Sequence, residues 1–237
     1  MALIKSISGI RGTIGNSPNI NLTPLDIVRF SSAYAKWLRD KNKGKLTVVT
    51  GRDARISGPM VHSLVNQTLI GMGIDVIDLG LSTTPTVAIA VPMENADGGI
   101  VVTASHNPKQ WNALKLLNDA GEFIDAENGS KIIEFAQSEK FNYAEVDNLG
   151  RIKVDHSYFD KHIQATLNLN NIDKINIKKA RFKVVVDGVN SSGGIIIPKL
   201  LENLNVDVVK IHCNPNGQFP HNPEPLKEHL GDLCHAV

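Results

Sequence analysis

Three short apolar runs decide the fold: LTVVT at residues 46–50, DVIDL at residues 75–79 and GIVVT at residues 99–103. Each run is rich in β-branched residues, and segments long enough for a helix separate them. This alternation is typical of an α/β domain built on parallel strands. The run at 114–117, followed by the turn-forming DAGE at 119–122, predicts one added strand. We therefore predict a mixed α/β fold with largely parallel sheets flanked by helices.

The first helix carries the clearest start signal in the chain. Thr23 can cap it, Pro24 suits its first turn, and Asp26 completes a capping box. Apolar residues then recur on one helical stripe, which predicts a face packed into the core. We expect Gly44 to end this helix. The stripe consists of Ile27, Phe30, Tyr34, Trp37 and Leu38, and further helices are predicted over residues 58–72, 84–93 and 126–138.

The pattern breaks into mixed polar residues at 141–154, which predicts a domain boundary. We divide the chain there into a first domain over residues 1–150 and a second domain over residues 151–237. A helix over residues 156–167 is expected to link the two.

The second domain begins a further βαβ unit, with strands predicted at 182–186 and 206–211. Pro198 predicts that the intervening helix starts late or kinks. A final helix is predicted over 225–237, and in a buried parallel sheet a further strand should follow it. We therefore expect the second domain to be C-terminally incomplete.

Composition argues against several classes of protein. The 237 residues carry a formal net charge of +1, so the basic field of a nucleic-acid binder is missing and no nucleic-acid partner is expected. No apolar run reaches the ~18 residues of a membrane span, and the N-terminus lacks the apolar core of a signal peptide. These features predict no membrane partner and a cytoplasmic location. Cys213 and Cys234 predict reduced thiols rather than a disulfide framework.

The segment TASHNP at residues 103–108 directly follows the third strand. Ligands of parallel α/β sheets bind outside the carboxyl ends of the strands. Ser105 in this loop could be a nucleophile, a phosphate-binding hydroxyl or a plain turn residue. A serine hydrolase needs a base within reach and usually a G-x-S-x-G elbow, whereas Ser105 lies between Ala104 and His106. The sequence therefore argues against a serine hydrolase and leaves the three roles of Ser105 open.

TASHNP resembles the active-site serine loop of the α-D-phosphohexomutase family, and other segments resemble family segments in the same order. The resemblance covers nearly the whole chain and implies the first domain and most of the second domain of a four-domain enzyme. The other segments are SGIRG at 8–12, GRDARISG at 51–58, GLSTTPT at 80–86, NALK at 112–115, VDGVN at 186–190 and PNGQFP at 215–220.

The resemblance implies that Ser105 carries a transferable phosphoryl group. It implies Lys115 as a general acid/base or electrostatic partner, and Arg11 in the same role or steering the sugar hydroxyl. It implies His106 as a catalytic residue that holds the phosphoserine or orients the reacting hydroxyl. Four further residues are expected to support the substrate and the loops: Arg52, Asp53, Asn107 and Asn112.

The implied reaction interconverts hexose 6-phosphate and hexose 1-phosphate through the phosphoserine and a bisphosphorylated sugar. The expected partner is a hexose phosphate, and the expected activator is glucose 1,6-bisphosphate or an equivalent sugar bisphosphate. A monomer or homodimer is expected. Within the family, phosphoglucosamine mutase activity is the first expectation and phosphomannomutase/phosphoglucomutase activity the alternative.

The resemblance also implies Mg²⁺, bound through the phosphate of Ser105 and neutralising its charge. The family's loop of alternating aspartates does not occur in the sequence, so the remaining ligands are expected beyond Val237. Asp187, Asp207 and Asp232 are too scattered along the chain to replace that loop and are expected to be solvated or capping residues. The 237-residue chain alone is therefore expected to be inactive, binding a sugar phosphate at most.

One position departs from the family pattern within a motif. Ala113 stands where the family has a glycine, before Leu114 and Lys115. The added Cβ is expected to narrow the freedom of the backbone there.

Overall fold

The computed structural model describes residues 3–6 and 9–237, which form two compact units. Unit 1 consists of the described part of Met1–Arg52 together with Ser57–Ala104 and Gln110–His156. Unit 2 consists of Ser157–Val237 and two short segments from earlier in the chain, Asp53–Ile56 and Ser105–Lys109. The loop that carries Ser105 therefore groups with the C-terminal residues.

Unit 1 is built on one seven-stranded sheet. Its strands are β1 (Ile4–Ser6), β2 (Gly9–Thr13), β3 (Thr47–Arg52), β4 (Asp75–Leu81), β5 (Gly98–Val102), β6 (Trp111–Leu117) and β7 (Ile152–Val154). The spatial order is β1-β2-β6-β5-β3-β4-β7. One half, β5-β3-β4-β7, is parallel, and β1, β2 and β6 join it in antiparallel pairings. The predicted mixed α/β fold class is confirmed.

The three apolar runs form β3, β4 and β5, with β3 and β5 lying side by side in the sheet. Their central side chains, among them Val48, Ile100 and Val102, are fully buried. A strand covered on both faces loses its alternation of polar and apolar residues, which explains the continuous apolar runs.

Helix α1 (Pro24–Lys41) begins as predicted. The Thr23 side chain accepts a hydrogen bond from the Asp26 amide, and the Asp26 carboxylate accepts one from the Thr23 amide, which completes the capping box. All five residues of the predicted stripe are buried. The predicted end at Gly44 is wrong, because Asn42 already has an extended backbone and its amide donates to Leu38 O as the C-cap.

The other helices of unit 1 follow the sequence closely. They are α2 (Gly58–Gly71), α3 (Thr84–Met93) and α4 (Ala126–Ser138). In α3, Thr83 caps the amide of Thr86, and in α4 Asp125 caps the amide of Asn128. No helix in the described ranges is long and apolar enough to cross a membrane.

The edges of the sheet differ from the sequence prediction. Strand β6 begins at Trp111 rather than at residue 114, because its first residues pair with β2, which was not predicted. Gly9 begins β2 with φ +118°, and a Cβ there would collide with the carbonyl of Leu114. Strand β7 lies within the region predicted as irregular, since its exposed residues join β4 by backbone pairing alone.

Unit 2 is centred on the predicted βαβ unit. Strand β8 (Lys183–Asp187) pairs in parallel with β9 (Asp207–Ile211) in register from Lys183–Asp207 to Asp187–Ile211. Its helices are α5 (Tyr158–Leu167), α6 (Lys174–Ala180), α7 (Gly193–Asn203) and α8 (Gly231–Ala236). A small apolar core lies between α5, α7 and the β8–β9 pair and consists of Ile163, Leu167, Ile196, Leu204 and Val206.

Three features of unit 2 correct the prediction. Helix α6 was not predicted, although Asp173 caps it through the amide of Asn176. Pro198 lies inside α7, so the predicted late start is wrong, and the alternative, a kink, stays a prediction. The predicted final helix is broken into a 3₁₀ turn over Lys227–His229 and the short α8, since Gly231 is a poor helix-interior residue.

Candidate functional site

Ser105 lies three residues beyond the end of β5, and its side chain is exposed. Its backbone has φ +56°, in the left-handed region that non-glycine residues seldom adopt. Such a conformation persists where surrounding contacts hold the chain in place. In unit 2 three such contacts come from one arginine.

Arg55 binds the backbone of the Ser105 loop at three points. Its guanidinium donates to Ser105 O at 2.8 Å, to Asn107 O at 2.6 Å and to Pro108 O at 2.8 Å. The residue is only 1% exposed. Because a guanidinium presents its donors in a rigid planar fork, three carbonyls bound to it are fixed relative to one another.

Asp53 compensates the charge of Arg55. Its carboxylate accepts from Arg55 Nε at 3.1 Å and from the Arg55 amide at 3.0 Å. Burial lowers the pKa of the Arg55 guanidinium, and the Asp53 carboxylate opposes that shift. The group stays charged at neutral pH, because an arginine is not deprotonated in proteins.

The loop at 215–220 packs on the segment that contains Arg55. The Phe219 ring centre lies 5.1 Å from Arg55 Cζ, within cation–π range. Gly217 has φ +73°, and a Cβ there would collide with the carbonyl of Ala54. Arg52 and Asp53, the neighbours of Arg55 in the chain, were predicted to support the loops, but no role was predicted for Arg55. The Asp-x-Arg spacing within GRDARISG was the available signal.

A cavity of about 480 Å³ opens beside the loop in unit 2. Ser105, His106 and Phe219 contribute to its wall, and so do two carboxylates, Asp53 and Asp187. Among the described residues that line it there is no lysine or arginine. An anionic ligand in this cavity would therefore need positive charge from another source.

His106 is more than half exposed, and its Nε2 lies 3.3 Å from Glu224 Oε2. This contact is an ion pair only when the imidazole carries both protons. Asn107 takes part in the loop through its carbonyl, which Arg55 binds. The two residues thus have different places in the loop: the His106 side chain is at the cavity, and the Asn107 backbone is at the anchor.

Strand pairing in unit 1 places Arg11 and Lys115 on one face of the sheet. Arg11 lies directly opposite Ala113, and Lys115 follows two residues later in the same strand. Directly opposed residues share a face, as do residues two apart. Lys115 Nζ lies 5.7 Å from the Phe123 ring centre.

Arg11 has a buried polar atom without a partner. Its Nε is buried and has no hydrogen-bond acceptor among residues 3–6 and 9–237. A buried donor left unpaired costs about 1–3 kcal/mol, so such atoms are expected where a ligand completes the bonding. Ser8, which begins the Arg11 motif, lies outside the described residues.

Asn112 and Ala113 have structural places within strand β6. The buried Asn112 side chain donates to Ser57 Oγ at 2.9 Å and so ties β6 to the residue that precedes α2. Ala113 lies in regular register opposite Arg11 and is not among the residues with positive φ. The expected loss of backbone freedom does not arise, because no glycine conformation is needed there.

Arg52 ends β3 within unit 1, and its carbonyl accepts from the Ser82 amide at 2.7 Å. The positive charge of Arg52 also affects the pKa of the buried His62. Burial lowers the pKa of His62; the Asp78 carboxylate opposes this shift and Arg52 reinforces it. Arg52 therefore acts on His62 in unit 1, whereas Asp53 pairs with the arginine that binds the Ser105 loop in unit 2.

The potential metal ligands that cluster among the described residues are not all of the oxygen type that Mg²⁺ prefers. This ion prefers octahedral oxygen coordination, usually by carboxylates, phosphates and water. Within the described ranges, the group of three or more potential ligands close enough to share an ion is Asp187, His212 and His221, in which two donors are imidazoles. Asp187 and Asp232, predicted as solvated or capping residues, contact His221 and His212 respectively.

Two family models match the chain. Residues 3–143 match "Phosphoglucomutase/phosphomannomutase, alpha/beta/alpha domain I", and residues 157–237 match domain II of the same family.

Individual relatives agree with these matches. The chain is 36% identical over 230 residues to a phosphoglucomutase/phosphomannomutase of Thermococcus kodakarensis, and 34% identical over 231 residues to a probable phosphoglucosamine mutase of Methanosphaera stadtmanae. Each alignment covers 97% of this chain and 49% of the relative, so the chain spans about half the length of the curated relatives it matches.

Solved structures show the same relationship. A putative phosphomannomutase from Thermus thermophilus superposes with a TM-score of 0.82 at 25% identity, covering 100% of this chain and 52% of that one. A phosphoglucomutase/phosphomannomutase family protein from Burkholderia thailandensis gives a TM-score of 0.77 at 25% identity, covering 100% and 50%. With the fold, the ordered motifs and both family models in agreement, the chain belongs to the phosphoglucomutase/phosphomannomutase family.

Proposed function

We propose that this chain supplies the phosphoserine of a phosphohexomutase, with Ser105 as the residue that carries the phosphoryl group between the two positions of a hexose phosphate. The observation that carries the proposal is the anchored loop. Buried Arg55 binds three of its carbonyls, and the exposed Ser105 beside the cavity has a left-handed backbone. A nucleophile on a fixed turn is held in one orientation toward its substrate.

The proposed reaction consists of two transfers. A hydroxyl of the hexose monophosphate attacks the phosphorus of phosphoserine, the bond from phosphorus to Ser105 Oγ breaks, and a hexose bisphosphate forms. The proton lost by the sugar hydroxyl is returned to the serine oxygen. In the second transfer Ser105 Oγ attacks the other phosphate, which restores the phosphoserine and releases the isomeric monophosphate. No phosphate is consumed in the cycle.

Lys115 and Arg11 are proposed as the catalytic cations of unit 1. The support is that strand pairing puts both on one face of β2 and β6, and that Arg11 Nε lacks a partner among the described residues. Lys115 is proposed to move the proton and Arg11 to bind anionic or hydroxyl oxygen. His106 is proposed to orient the reacting hydroxyl, because its ring lines the cavity next to Ser105.

The proposal also includes a metal ion, an activating sugar bisphosphate, a location and an oligomeric state. Mg²⁺ would lower the negative charge of the phosphoserine when bound, with a phosphate oxygen among its ligands. Glucose 1,6-bisphosphate, or an equivalent sugar bisphosphate, is proposed to phosphorylate Ser105 initially. We propose a cytoplasmic monomer or homodimer that acts without nucleic acid or membrane.

Phosphoglucosamine mutase activity is the proposed specificity, supported by the name of the Methanosphaera stadtmanae relative. The name of the Thermococcus kodakarensis relative supports the alternative, a phosphomannomutase/phosphoglucomutase. Turnover of glucosamine 6-phosphate, mannose 6-phosphate and glucose 6-phosphate by the longest natural form of the protein distinguishes the two. A higher kcat/KM for either neutral sugar would overturn the first assignment.

The role of Ser105 is tested by mass spectrometry. The longest natural form, incubated with glucose 1,6-bisphosphate, should carry one phosphate that maps to Ser105. Ser105→Ala should lose both the phosphate and mutase turnover, while the control Ser130→Ala, an exposed serine of α4, should keep both. Full turnover by Ser105→Ala in the presence of the bisphosphate would disprove the assignment.

A second proposal concerns the 237 residues alone. Because they span about half the length of their relatives, we propose that by themselves they bind a sugar phosphate without turning it over. Mutase assays on the 237-residue chain decide this question, and sustained turnover would contradict it.

A further inference from the structure

Three potential metal ligands meet where β8 and β9 end. Asp187 is the last residue of β8 and lies opposite Ile211, the last residue of β9, and His212 directly follows Ile211. His221 reaches the same place from the following loop. One donor atom from each of the three lies within 4.8 Å of the others. The carboxyl ends of parallel strands are the usual position of ligand sites in such sheets.

Hydrogen bonding fixes which nitrogen of His221 is available to a metal. Its Nδ1 lies 2.9 Å from Asn222 O, and because a carbonyl only accepts, Nδ1 must carry the hydrogen. A metal-bound imidazole usually donates its other N–H to a carbonyl or carboxylate in this way. The remaining nitrogen, Nε2, points toward Asp187.

The contact between His221 and Asp187 requires positive charge. Nε2 lies 2.8 Å from Asp187 Oδ2, and two lone pairs at that distance would repel each other. Either a second proton or a cation must lie between them. The Asp187 side chain is 8% exposed, so water neutralises little of its charge.

His212 brings a second imidazole and a nearby carboxylate. Its Nε2 lies 3.0 Å from Asp232 Oδ2, and its ring centre lies 5.7 Å from that of His221 at 71° between the planes. The rings are therefore not stacked. Asp232 lies on the exposed side of the cluster, where it could supply a fourth donor.

We propose that Asp187, His212 and His221 bind a divalent transition-metal ion, with Zn²⁺ the best chemical match. Two imidazole nitrogens and one carboxylate oxygen, with a fourth position for Asp232 or water, are a donor set that Zn²⁺ takes in tetrahedral sites. Imidazole suits zinc, copper, iron and nickel, whereas Mg²⁺ and Ca²⁺ prefer oxygen. The site is thus separate in chemistry from the Mg²⁺ proposed at phosphoserine.

Metal binding needs only a small movement. Bonds of 2.0–2.1 Å in a tetrahedron put donor atoms about 3.3 Å apart. The Asp187–His221 pair would open slightly from 2.8 Å, and the other separations, up to 4.8 Å, would close. The bound ion would join the ends of β8 and β9 to the loop that carries His221. Its expected effect is to stabilise unit 2.

The experiment uses the 237-residue chain freed of metal by a chelator and dialysed. Zinc titration followed by calorimetry should show one equivalent bound, and zinc should raise Tm while the same concentration of Mg²⁺ should not. His212→Asn/His221→Asn should lower zinc affinity by at least about tenfold, the loss that even outer-shell substitutions produce. The control His235→Asn, an exposed histidine of α8, should bind zinc like the unaltered chain. Equal zinc affinity in the double variant and the unaltered chain would overturn the proposal.

A second measurement does not depend on a variant that folds. X-ray absorption of the zinc-loaded, unaltered chain should show two imidazoles and oxygen donors around the metal. Cobalt substitution should give visible bands of tetrahedral coordination without a thiolate charge-transfer band. A thiolate signal would move the site to neighbouring Cys213, and an all-oxygen shell or no bound metal would likewise overturn the assignment.

Discussion

Two arginines of the family motifs are placed in opposite ways. In unit 2, Arg55 is buried, and its guanidinium binds three carbonyls of the Ser105 loop and the Asp53 carboxylate. On the β2–β6 pair of unit 1, Arg11 has a buried Nε without any partner in the described part of the chain. An arginine whose donors are bound within the protein fixes structure, whereas one with an unbound donor is suited to a ligand. The comparison predicts opposite effects on stability and binding when each is replaced.

The largest effect is expected at Arg55. Arg55→Met removes three bonds to the Ser105 loop and the guanidinium charge beside the Asp53 carboxylate, which should lower the free energy of unfolding by about 3–5 kcal/mol. Urea unfolding of the 237-residue chain measures this loss. The control Lys131→Met removes only the exposed pair with Glu127 on α4 and should leave the midpoint unchanged. An Arg55 variant as stable as the control would show that the bonds of Arg55 do not stabilise the folded chain.

Glycines near the two arginines provide a smaller, paired test. Gly217→Ala and Gly9→Ala each put a Cβ against a carbonyl at positive φ, so each should destabilise the chain by about 1–3 kcal/mol. Gly71→Ala, in α2 with open space around it, should instead stabilise by about 0.5–1 kcal/mol. Thermal unfolding of the three variants measures these shifts. If Gly217→Ala alone were tolerated, the contact between residue 217 and Ala54 would not constrain the Arg55 segment.

Replacing Arg11 should separate binding from stability. Arg11→Met removes a buried donor that bonds to nothing described, so stability should stay constant or rise by up to about 1–3 kcal/mol. Hexose phosphate affinity of the longest natural form should fall about tenfold, the value of a hydrogen bond to a charged group. Calorimetry with glucose 6-phosphate and urea unfolding measure the two effects. A loss of stability matching that of Arg55→Met would contradict the assigned difference.

The smallest effect is expected at the buried His62, whose pKa is lowered by burial and by the charge of Arg52. Burial lowers the pKa of His62 in the folded chain, so below its unfolded pKa of about 6.5 the unfolded state binds the extra proton. Stability should therefore fall as the pH drops through about 6.5 and level off below the folded pKa. His62→Gln should flatten this part of the curve relative to the unaltered chain. Identical pH profiles would show that His62 does not titrate on unfolding.

Elements defined by local periodicity were predicted from the sequence. The runs that became β3, β4 and β5 are apolar because those strands are buried on both faces, and the capping box at Thr23 marks α1 by contacts within four residues. Elements that depend on partners far away in the chain were missed. Strand β7 has only three residues, all exposed, and pairs with β4.

The same division applies to the site. Ser105 stands out because its motif is contiguous, and so do Arg11 and Lys115. Arg55 does not, since its role depends on carbonyls about fifty residues further along the chain. Asp187, His212 and His221 form a cluster only because β8 and β9 end side by side.

The family and the central strands could therefore be predicted from the sequence, because each depends on residues that are neighbours in the chain. Which charged groups are paired could not be predicted without the fold. Pairing depends on which backbone and side-chain atoms the fold brings within about 3 Å, and no local pattern encodes that distance. For this reason Arg55 and the three-ligand cluster appear as sites only in the folded chain.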